Sequence, residues 1–581
     1  MEELNPELAK SMEELSEKQQ ELAHLKFVKN FSRIRDEIPD EAEEFSNLSE
    51  TKYNVKIESL DRNCLLEVYA RIRFPFEDAV DYLSIQSHLE TTVEIMKCLH
   101  VVHSNTPSYN KSMVLDIVLE EFGKRFNFHF YGDKPTNSAS NRNGSLLKSL
   151  CGYATTWNTS KSLSKISLMR PTKLASKKVK SLIRQNNFVQ DRRLLSHLID
   201  ETVVFEKEMH ETYEYSEDEP LHVISELCQE TVLDTWFKLE RDTISIGIDS
   251  ILADPDAYES RYKGAADVDT YFVPNFADSF VILMQSMFER YRSIPNVRLQ
   301  CRFVKLQLII VDEFRSRMVQ INQQIDTPWR KPYPQLMNSL WYLTLVLDDW
   351  SDMPEFVRLQ YFLQSSSSSL VRGIFDESSG LYRHVWRQRA KHLSDSFAEH
   401  IKVKLGPYSK EKWFAYDLLK PVDVLPSFTF FLTEINRLIT WINQNISPDS
   451  ILTIYHLTNY EIWQAIHSNV ISRTSFNYRG ANQMLFDITT ALIPLLNSLF
   501  SRPKAAGVFD AILNDKCINV LNTLKLLSLP TPTAILLKDE MRHIPEQMLE
   551  TKLEPFSIST ANGLSRAKIL DILEQRCDMI I

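Results

Sequence analysis

Glycine is scarce in this chain. It supplies 12 of the 581 residues, where ordinary usage of about 7% would give roughly 40. Nucleotide-binding turns, hairpins and tight barrel corners draw on glycine because it adopts positive φ at little steric cost. The scarcity therefore argues against a large α/β enzyme and favours an all-α protein.

The chain also lacks paired cysteines and long apolar runs. Its seven cysteines stand far apart without a C-x-x-C pair, which is typical of reduced thiols in a cytosolic protein. No uninterrupted apolar run approaches the roughly 18 residues of a membrane span. The first forty residues are acidic and contain no apolar block of the signal-peptide type. We therefore expect a cytosolic protein that meets membranes only peripherally, through a partner or a surface.

Basic excess and catalytic motifs are absent as well. A net charge of −11 argues against direct nucleic-acid binding, which needs a basic face. Phosphate-binding G-x-x-x-x-G-K, dinucleotide-binding G-x-G-x-x-G, the nucleophile elbow G-x-S-x-G and zinc-binding H-E-x-x-H do not occur. Asp348 and Asp349 could suggest acid–base chemistry, but a structural role at a helix end is favoured. The sequence predicts no catalytic residue, cofactor or metal.

The stretch from Asp278 to Trp350 carries the clearest helical periodicity. Apolar residues recur every three or four positions along three successive segments, which is the pattern of one buried stripe per helix. Prolines separate the segments and should end the helices there. No strand pattern lies between them, so the stripes must bury against one another in a helical bundle. The stripes are Phe280, Leu283, Met284, Met287, Phe288 and Tyr291; Leu299, Phe303, Leu306, Ile310, Phe314 and Met318; and Met337, Leu340, Trp341, Thr344 and Leu347.

Similar patterns fill most of the remaining chain, and changes of composition suggest its divisions. We predict an N-terminal amphipathic partner-binding helix with an acidic linker (1–50), an N-terminal helical bundle (51–133), a basic segment (134–190), a central helical bundle (191–363) and one or more C-terminal bundles (364–581). A run of five serines, Ser365–Ser369, lies at the start of the last part.

The N-terminal helix is the best candidate for a partner-binding site. Its apolar residues keep three-, four- and seven-residue spacings, which are weakly heptad-like. The surrounding sequence is too polar to bury that stripe alone, so it should pair with another helix. The predicted contact residues are Leu15, Leu22, Leu25 and Val28.

Residues 134–190 differ from the rest of the chain. They contain eleven Lys or Arg and no Asp or Glu. Like charges such as Lys173 and Lys177 disfavour a helix, and Pro171 interrupts the one helical candidate. We predict an irregular, largely exposed segment. Three interpretations are open: a disordered basic loop, a patch for anionic lipid or nucleic acid, or sequence translated in the wrong frame.

Several short stretches together resemble the RINT/TIP family, a subunit of the Dsl-type (NRZ) vesicle tether at the endoplasmic reticulum. Their order and spacing over Asp191–Ile581 carry the resemblance, which resumes abruptly near Leu194 after the basic segment. The quoted stretches are Leu198–His210, Asp267–Asp269, Glu289–Pro295, Phe303–Gln307, Asp312–Arg317, Leu347–Asp352, Gly480-Ala-Asn-Gln-Met-Leu-Phe-Asp487, Arg502–Pro503 and Leu536–Asp539.

The resemblance implies an elongated rod of consecutive helical bundles without catalytic activity. Such a subunit would bind a Zeste-White-ten-like partner through its N-terminal helix, join a further tether subunit, and engage SNAREs of the endoplasmic reticulum. It would capture Golgi-derived vesicles in retrograde transport, on the cytoplasmic face of that membrane. Some members are linked to DNA-damage checkpoint control through a Rad-type partner, and a nuclear adaptor is the alternative.

Overall fold

The structure is a computed structural model of the full chain. It describes residues 164–185, 189–213, 221–262, 272–325, 327–364, 373–418, 420–501, 512–559 and 563–579, together with Gly123, Lys124 and Asn127.

The described part of the chain is all-α, which confirms the predicted fold class. Sixteen α-helices run through these residues, joined by short 3₁₀ turns, and pairing between segments is limited there to isolated bridges. The helices are α1 Ser164–Ile183, α2 Arg192–Tyr213, α3 Glu230–Ala253, α4 Asn275–Arg292, α5 Val297–Gln323, α6 Tyr333–Ser351, α7 Pro354–Gln364, α8 Asp376–Ser409, α9 Pro426–Asn445, α10 Pro448–Asn469, α11 Tyr478–Asp487, α12 Ile493–Leu499, α13 Asp515–Leu527, α14 Thr531–His543, α15 Leu549–Leu553 and α16 Arg566–Glu574.

The chain divides into two compact units. The first comprises residues 1–185 and 201–226, and the second residues 186–200 and 227–581. The division falls within α2. In the first unit the structure describes α1, the later part of α2, and residues 221–226, where a 3₁₀ helix begins at Val223.

Helix α1 corrects the prediction for the basic segment. Residues 164–183 form one continuous helix that includes Pro171, so the expected irregularity is wrong for this part. Its buried positions recur at spacings of three and four residues, as at Ala175, Val179 and Leu182, and form a stripe. The earlier part, 134–163, lies outside the described residues. The stripe comprises Thr172, Ala175, Ser176, Lys178, Val179 and Leu182.

The basic segment contains no Asp or Glu of its own, and α1 is paired with a carboxylate from another element. Glu226 accepts a hydrogen bond from Ser176 Oγ at 2.8 Å and lies 3.5 Å from Lys180 Nζ. Local composition could not reveal this partner, because it is 50 residues away along the chain. Small residues at Ala175 and Ser176 also allow close packing, which a search for large apolar residues at helical spacing does not detect.

In the second unit the three predicted stripes are largely buried. Phe280, Met284, Met287 and Tyr291 of α4 are at most 2% exposed, as are Phe303, Ile310, Phe314 and Met318 of α5. Phe280 stacks on Phe314 with ring centroids 3.8 Å apart. Prolines lie between the helices as predicted, and Asn296 caps α5 by accepting from the Arg298 N–H. Periodicity therefore located this core correctly.

Helix α8 is the centre of the second unit. It spans 34 residues and packs against α6, α9 and α10. Tyr382 donates to the Val311 carbonyl at 2.8 Å, which joins α8 to α5. Trp341, expected to be buried, is only partly so, and its ring lies 4.9 Å from that of Trp386.

Asp348 has the structural role that the sequence favoured. It lies on α6 and receives hydrogen bonds from Ser379 Oγ and from Arg383 Nη2, the latter at 2.6 Å. Both donors belong to α8. The carboxylate thus joins α6 to α8.

The C-terminal helices form a second apolar cluster, built from α13 to α16. Leu526, Met541, Leu553, Ile569 and Leu573 are all fully buried in it. Among the described helices, none is by itself long and apolar enough to cross a bilayer, although α13 and α14 meet that test together across a bend of 112°.

Candidate interaction surface

The connection from α8 to α9 is held in place by the N-terminal part of α11. This connection, residues 411–425, is described except at residue 419. Gly480 lets the two segments approach, because a Cβ there would lie inside van der Waals contact of the Trp413 carbonyl. A glycine is therefore required by packing at this position, with no demand for positive φ.

Two amide side chains of this region bind the connection directly. Asn477, the N-cap of α11, donates from its side chain to the Tyr416 carbonyl at 2.8 Å and from its backbone to the Trp413 carbonyl at 3.2 Å. Gln483 Nε2 donates to the Asp423 carbonyl at 2.9 Å, while Gln483 Oε1 accepts from Tyr416 Oη at 3.1 Å. These bonds fix both ends of the connection to one helix.

Asp487 completes the anchor from the end of α11. Its fully buried carboxylate accepts from Tyr408 Oη at 2.9 Å, from Gln483 Nε2 at 2.8 Å and from the Leu425 N–H at 3.3 Å. Burial raises the pKa of Asp487 to about 6, and the three hydrogen bonds oppose that rise. The carboxylate is thus held by neutral donors, which suits a structural junction.

A π-helical turn, Ile488–Leu492, follows Asp487 directly. Such turns are rare and occur often at functional sites. Here it lies between α11 and α12, and its Ile488 and Leu492 are fully buried. The widened turn joins α11, which ends at the buried Asp487, to α12.

The connection and the start of α9 carry exposed apolar side chains. Phe414, Leu418 and Val422 are each more than half exposed, as is Phe430 in the first turns of α9. Beside them, Trp413 is fully buried, with its ring 4.9 Å from that of Tyr408. Exposed apolar groups on a firmly held segment are typical of a protein-binding surface. We call these four residues the connection surface.

The stretch that forms the anchor was singled out by sequence, but neither its role nor the surface was predicted. Gly480–Asp487 was one of the stretches behind the family resemblance, yet the role of Gln483 and Asp487 was missed. The signal was present as a glycine, glutamine and aspartate at i, i+3 and i+7 of one helix. Phe414, Leu418 and Val422 of the connection surface are four residues apart, a spacing that by itself predicts a buried helical stripe and not an exposed surface. The predicted contact residues Leu15, Leu22, Leu25 and Val28 lie outside the described residues.

Potential metal ligands come together elsewhere in the described part of the chain. Glu206, His210 and His222 of the first unit place ligand atoms within 4.8 Å of one another. The sequence predicted no metal site.

An all-α fold with a hydrogen-bonded anchor and exposed apolar side chains beside it is typical of protein-interaction subunits. The sequence model of the RINT-1/TIP-1 family matches residues 166–576, so the chain belongs to this family. The match begins within α1, and together with the helix it argues against a wrong reading frame from residue 166 onward.

Two relatives show the extent of the likeness. A RINT1-like protein of Drosophila melanogaster is 25% identical over 496 residues, covering 80% of this chain and 64% of that protein. The chain thus matches less than two-thirds of that relative's length. The crystal structure of the SNARE Sec20 bound to the Dsl1 complex subunit Tip20 matches with a TM-score of 0.58, 14% identity and 90% coverage of each chain. At that identity the likeness concerns the fold.

Proposed function

We propose that this chain is a non-enzymatic subunit of a vesicle-tethering complex and that it binds SNARE proteins. The family match over 166–576 carries the proposal. The second half is supported by the fold that the chain shares with Tip20, which is bound to the SNARE Sec20 in the solved structure. A helical protein with an anchored apolar surface is suited to binding other helices.

The finer assignment follows from the family resemblance. We propose that the complex acts at the cytoplasmic face of the endoplasmic reticulum in Golgi-to-ER retrograde transport. Its partners would be a Zeste-White-ten-like subunit, a further tether subunit and ER SNAREs, with membrane contact only peripheral. The stripe Leu15, Leu22, Leu25 and Val28 would pair with the Zeste-White-ten-like subunit.

For the SNARE we propose the connection surface as the contact. SNARE motifs are amphipathic helices, and the apolar face of such a helix binds to exposed apolar groups on a partner. Phe414 and Val422 are on a segment whose backbone is fixed by Asn477, Gln483 and Asp487. Binding there costs little ordering entropy, because the segment is already held.

Affinity purification of the tagged chain from cells tests membership of the complex. We expect co-purification of two further helical tether subunits and ER SNAREs, and slowed retrograde transport after depletion. Purification without any of these would contradict the proposal. Nuclear retention with normal retrograde transport would instead favour the checkpoint adaptor.

A triple variant, Leu15→Asp with Leu22→Asp and Leu25→Asp, tests the N-terminal contact. Charges in an apolar helix seam cost several kcal/mol, so the Zeste-White-ten-like subunit should be lost. SNARE binding should persist, because it is assigned to another surface. Unchanged co-precipitation of all partners would show that the stripe does not bind a partner.

A further inference from the structure

Two histidines converge on one buried carboxylate in the first unit. Glu206 and His210 share a face of α2 at i and i+4, and His222 precedes the 3₁₀ helix that starts at Val223. Glu206 and His222 are almost fully buried, while His210 is about a quarter exposed. We infer that these three side chains form a zinc site, an inference independent of the proposed tethering function.

The distances fit a metal with short bonds. His222 Nδ1 lies 3.2 Å and His210 Nε2 lies 3.9 Å from the same oxygen, Glu206 Oε2. Tetrahedral zinc, with bonds of about 2.0–2.1 Å, separates its ligand atoms by roughly 3.3 Å. The Glu206–His222 pair already meets this value, and the Glu206–His210 pair needs a shift of roughly 0.6 Å. The ligand atoms of the two histidines lie within 4.8 Å of each other, so side-chain rotation can bring all three onto one ion.

The opposite oxygen holds the carboxylate in position. Glu206 Oε1 accepts the Ile224 N–H at 3.0 Å. That bond leaves Oε2 directed at the two imidazoles and orients the ligand, as outer hydrogen bonds do at metal sites. The rings of His210 and His222 stack at 5.7 Å with an interplanar angle of 21°.

Charge balance also favours a cation. A buried carboxylate is costly unless an opposite charge accompanies it. Glu240, equally buried in the second unit, has the guanidinium of Arg290 at 3.0 Å. Among the described residues, the ion-pair partners of Glu206 are the two histidines, which are neutral ligands when they bind zinc. The ion would join α2 to the segment before Val223.

Cobalt substitution in the full-length protein tests the site. Bound metal would first be removed from the protein with a chelator. Co²⁺ would then be titrated in while visible absorption is recorded, and Zn²⁺ would be added to displace the Co²⁺. We expect one Co²⁺ per chain with the intense bands of four-coordinate cobalt, water being the fourth ligand, and a rise of the unfolding midpoint with Zn²⁺. His210→Ala, at the most exposed ligand, should lower the affinity by about tenfold or more while the helical circular dichroism stays unchanged.

His197→Ala is the matched control, since His197 lies on the same helix outside the cluster. His222→Ala should behave like His210→Ala. The inference is wrong if wild type takes up no stoichiometric Co²⁺, or if His197→Ala weakens binding as much as His210→Ala. It is also wrong if Zn²⁺ leaves the unfolding midpoint of the wild type unchanged while lower pH raises it, because an imidazolium would then be the counter-charge of Glu206.

Discussion

At the scale of single residues, Asp487 should give the protein a measurable pH dependence. Its pKa is raised from 3.8 to about 6 by burial. Between these values the folded chain holds the proton more firmly than the unfolded chain, so the stability it contributes decreases as pH rises from about 4 to about 6. At about 1.36 kcal/mol per pKa unit, the change is at most about 3 kcal/mol.

Asp487→Asn removes this titration and keeps the shape of the side chain. We therefore expect the free energy of unfolding of wild type, relative to the variant, to increase as pH is lowered from 7 to 4.5. Urea unfolding of both proteins at the two pH values measures the difference, and carboxyl groups common to both cancel. A constant difference would show that Asp487 does not titrate with a raised pKa.

Gly480 gives a second test at this scale. Gly480→Ala would push a methyl group into the Trp413 carbonyl, and the connection would have to move away from α11. We expect a loss of about 1–3 kcal/mol and faster hydrogen exchange in the connection. Gly380→Ala is the control, because its site on α8 is open and alanine there should stabilise the helix by about 0.5–1 kcal/mol. Equal effects of the two variants would contradict the packing role.

At the scale of elements, helix α1 shows where sequence reasoning fails. The stripes of α4 and α5 were predictable because large apolar residues repeat at helical spacing. In α1 small and polar residues such as Thr172 and Ser176 occupy buried positions, and the carboxylate partner, Glu226, lies far along the chain. The spacing of large apolar residues predicts neither packing through small residues nor ion pairs with residues far along the chain.

Val179→Asp tests whether α1 packs through this stripe. Val179 is fully buried, so an aspartate there should cost several kcal/mol and expose residues 164–183 to protease and hydrogen exchange. Lys177→Asp, on the exposed side of the same helix, should change stability by no more than about 0.5 kcal/mol. Similar protection in both variants would mean that the helix does not depend on this face.

At the scale of the whole molecule, composition was sufficient for the fold class and insufficient for the contact surfaces. Scarce glycine and repeated apolar stripes predicted an all-α chain, and the family resemblance located the anchor motif of α11. The connection surface could not be predicted, since the exposure of Phe414 and Val422 depends on backbone hydrogen bonds from Asn477 and Gln483, which lie far along the chain. Long-range hydrogen bonds of this kind leave no local pattern.

The surface and the tethering role lead to one matched pair of variants. Phe414→Asp with Val422→Asp should leave stability nearly unchanged, because both side chains are largely exposed. Leu536→Asp is the control, since Leu536 on α14 is 67% exposed but outside the connection. We expect the double variant alone to lose SNARE binding, by about tenfold or more.

The most direct measurement is the affinity of the purified full-length chain for cytoplasmic segments of ER SNAREs. The account predicts saturable binding of at least one SNARE by wild type and by Leu536→Asp, with weakened binding by the double variant. Binding that the double variant retains in full would place the contact elsewhere on the chain. No binding of any ER SNARE by the wild-type protein would contradict the proposed function itself.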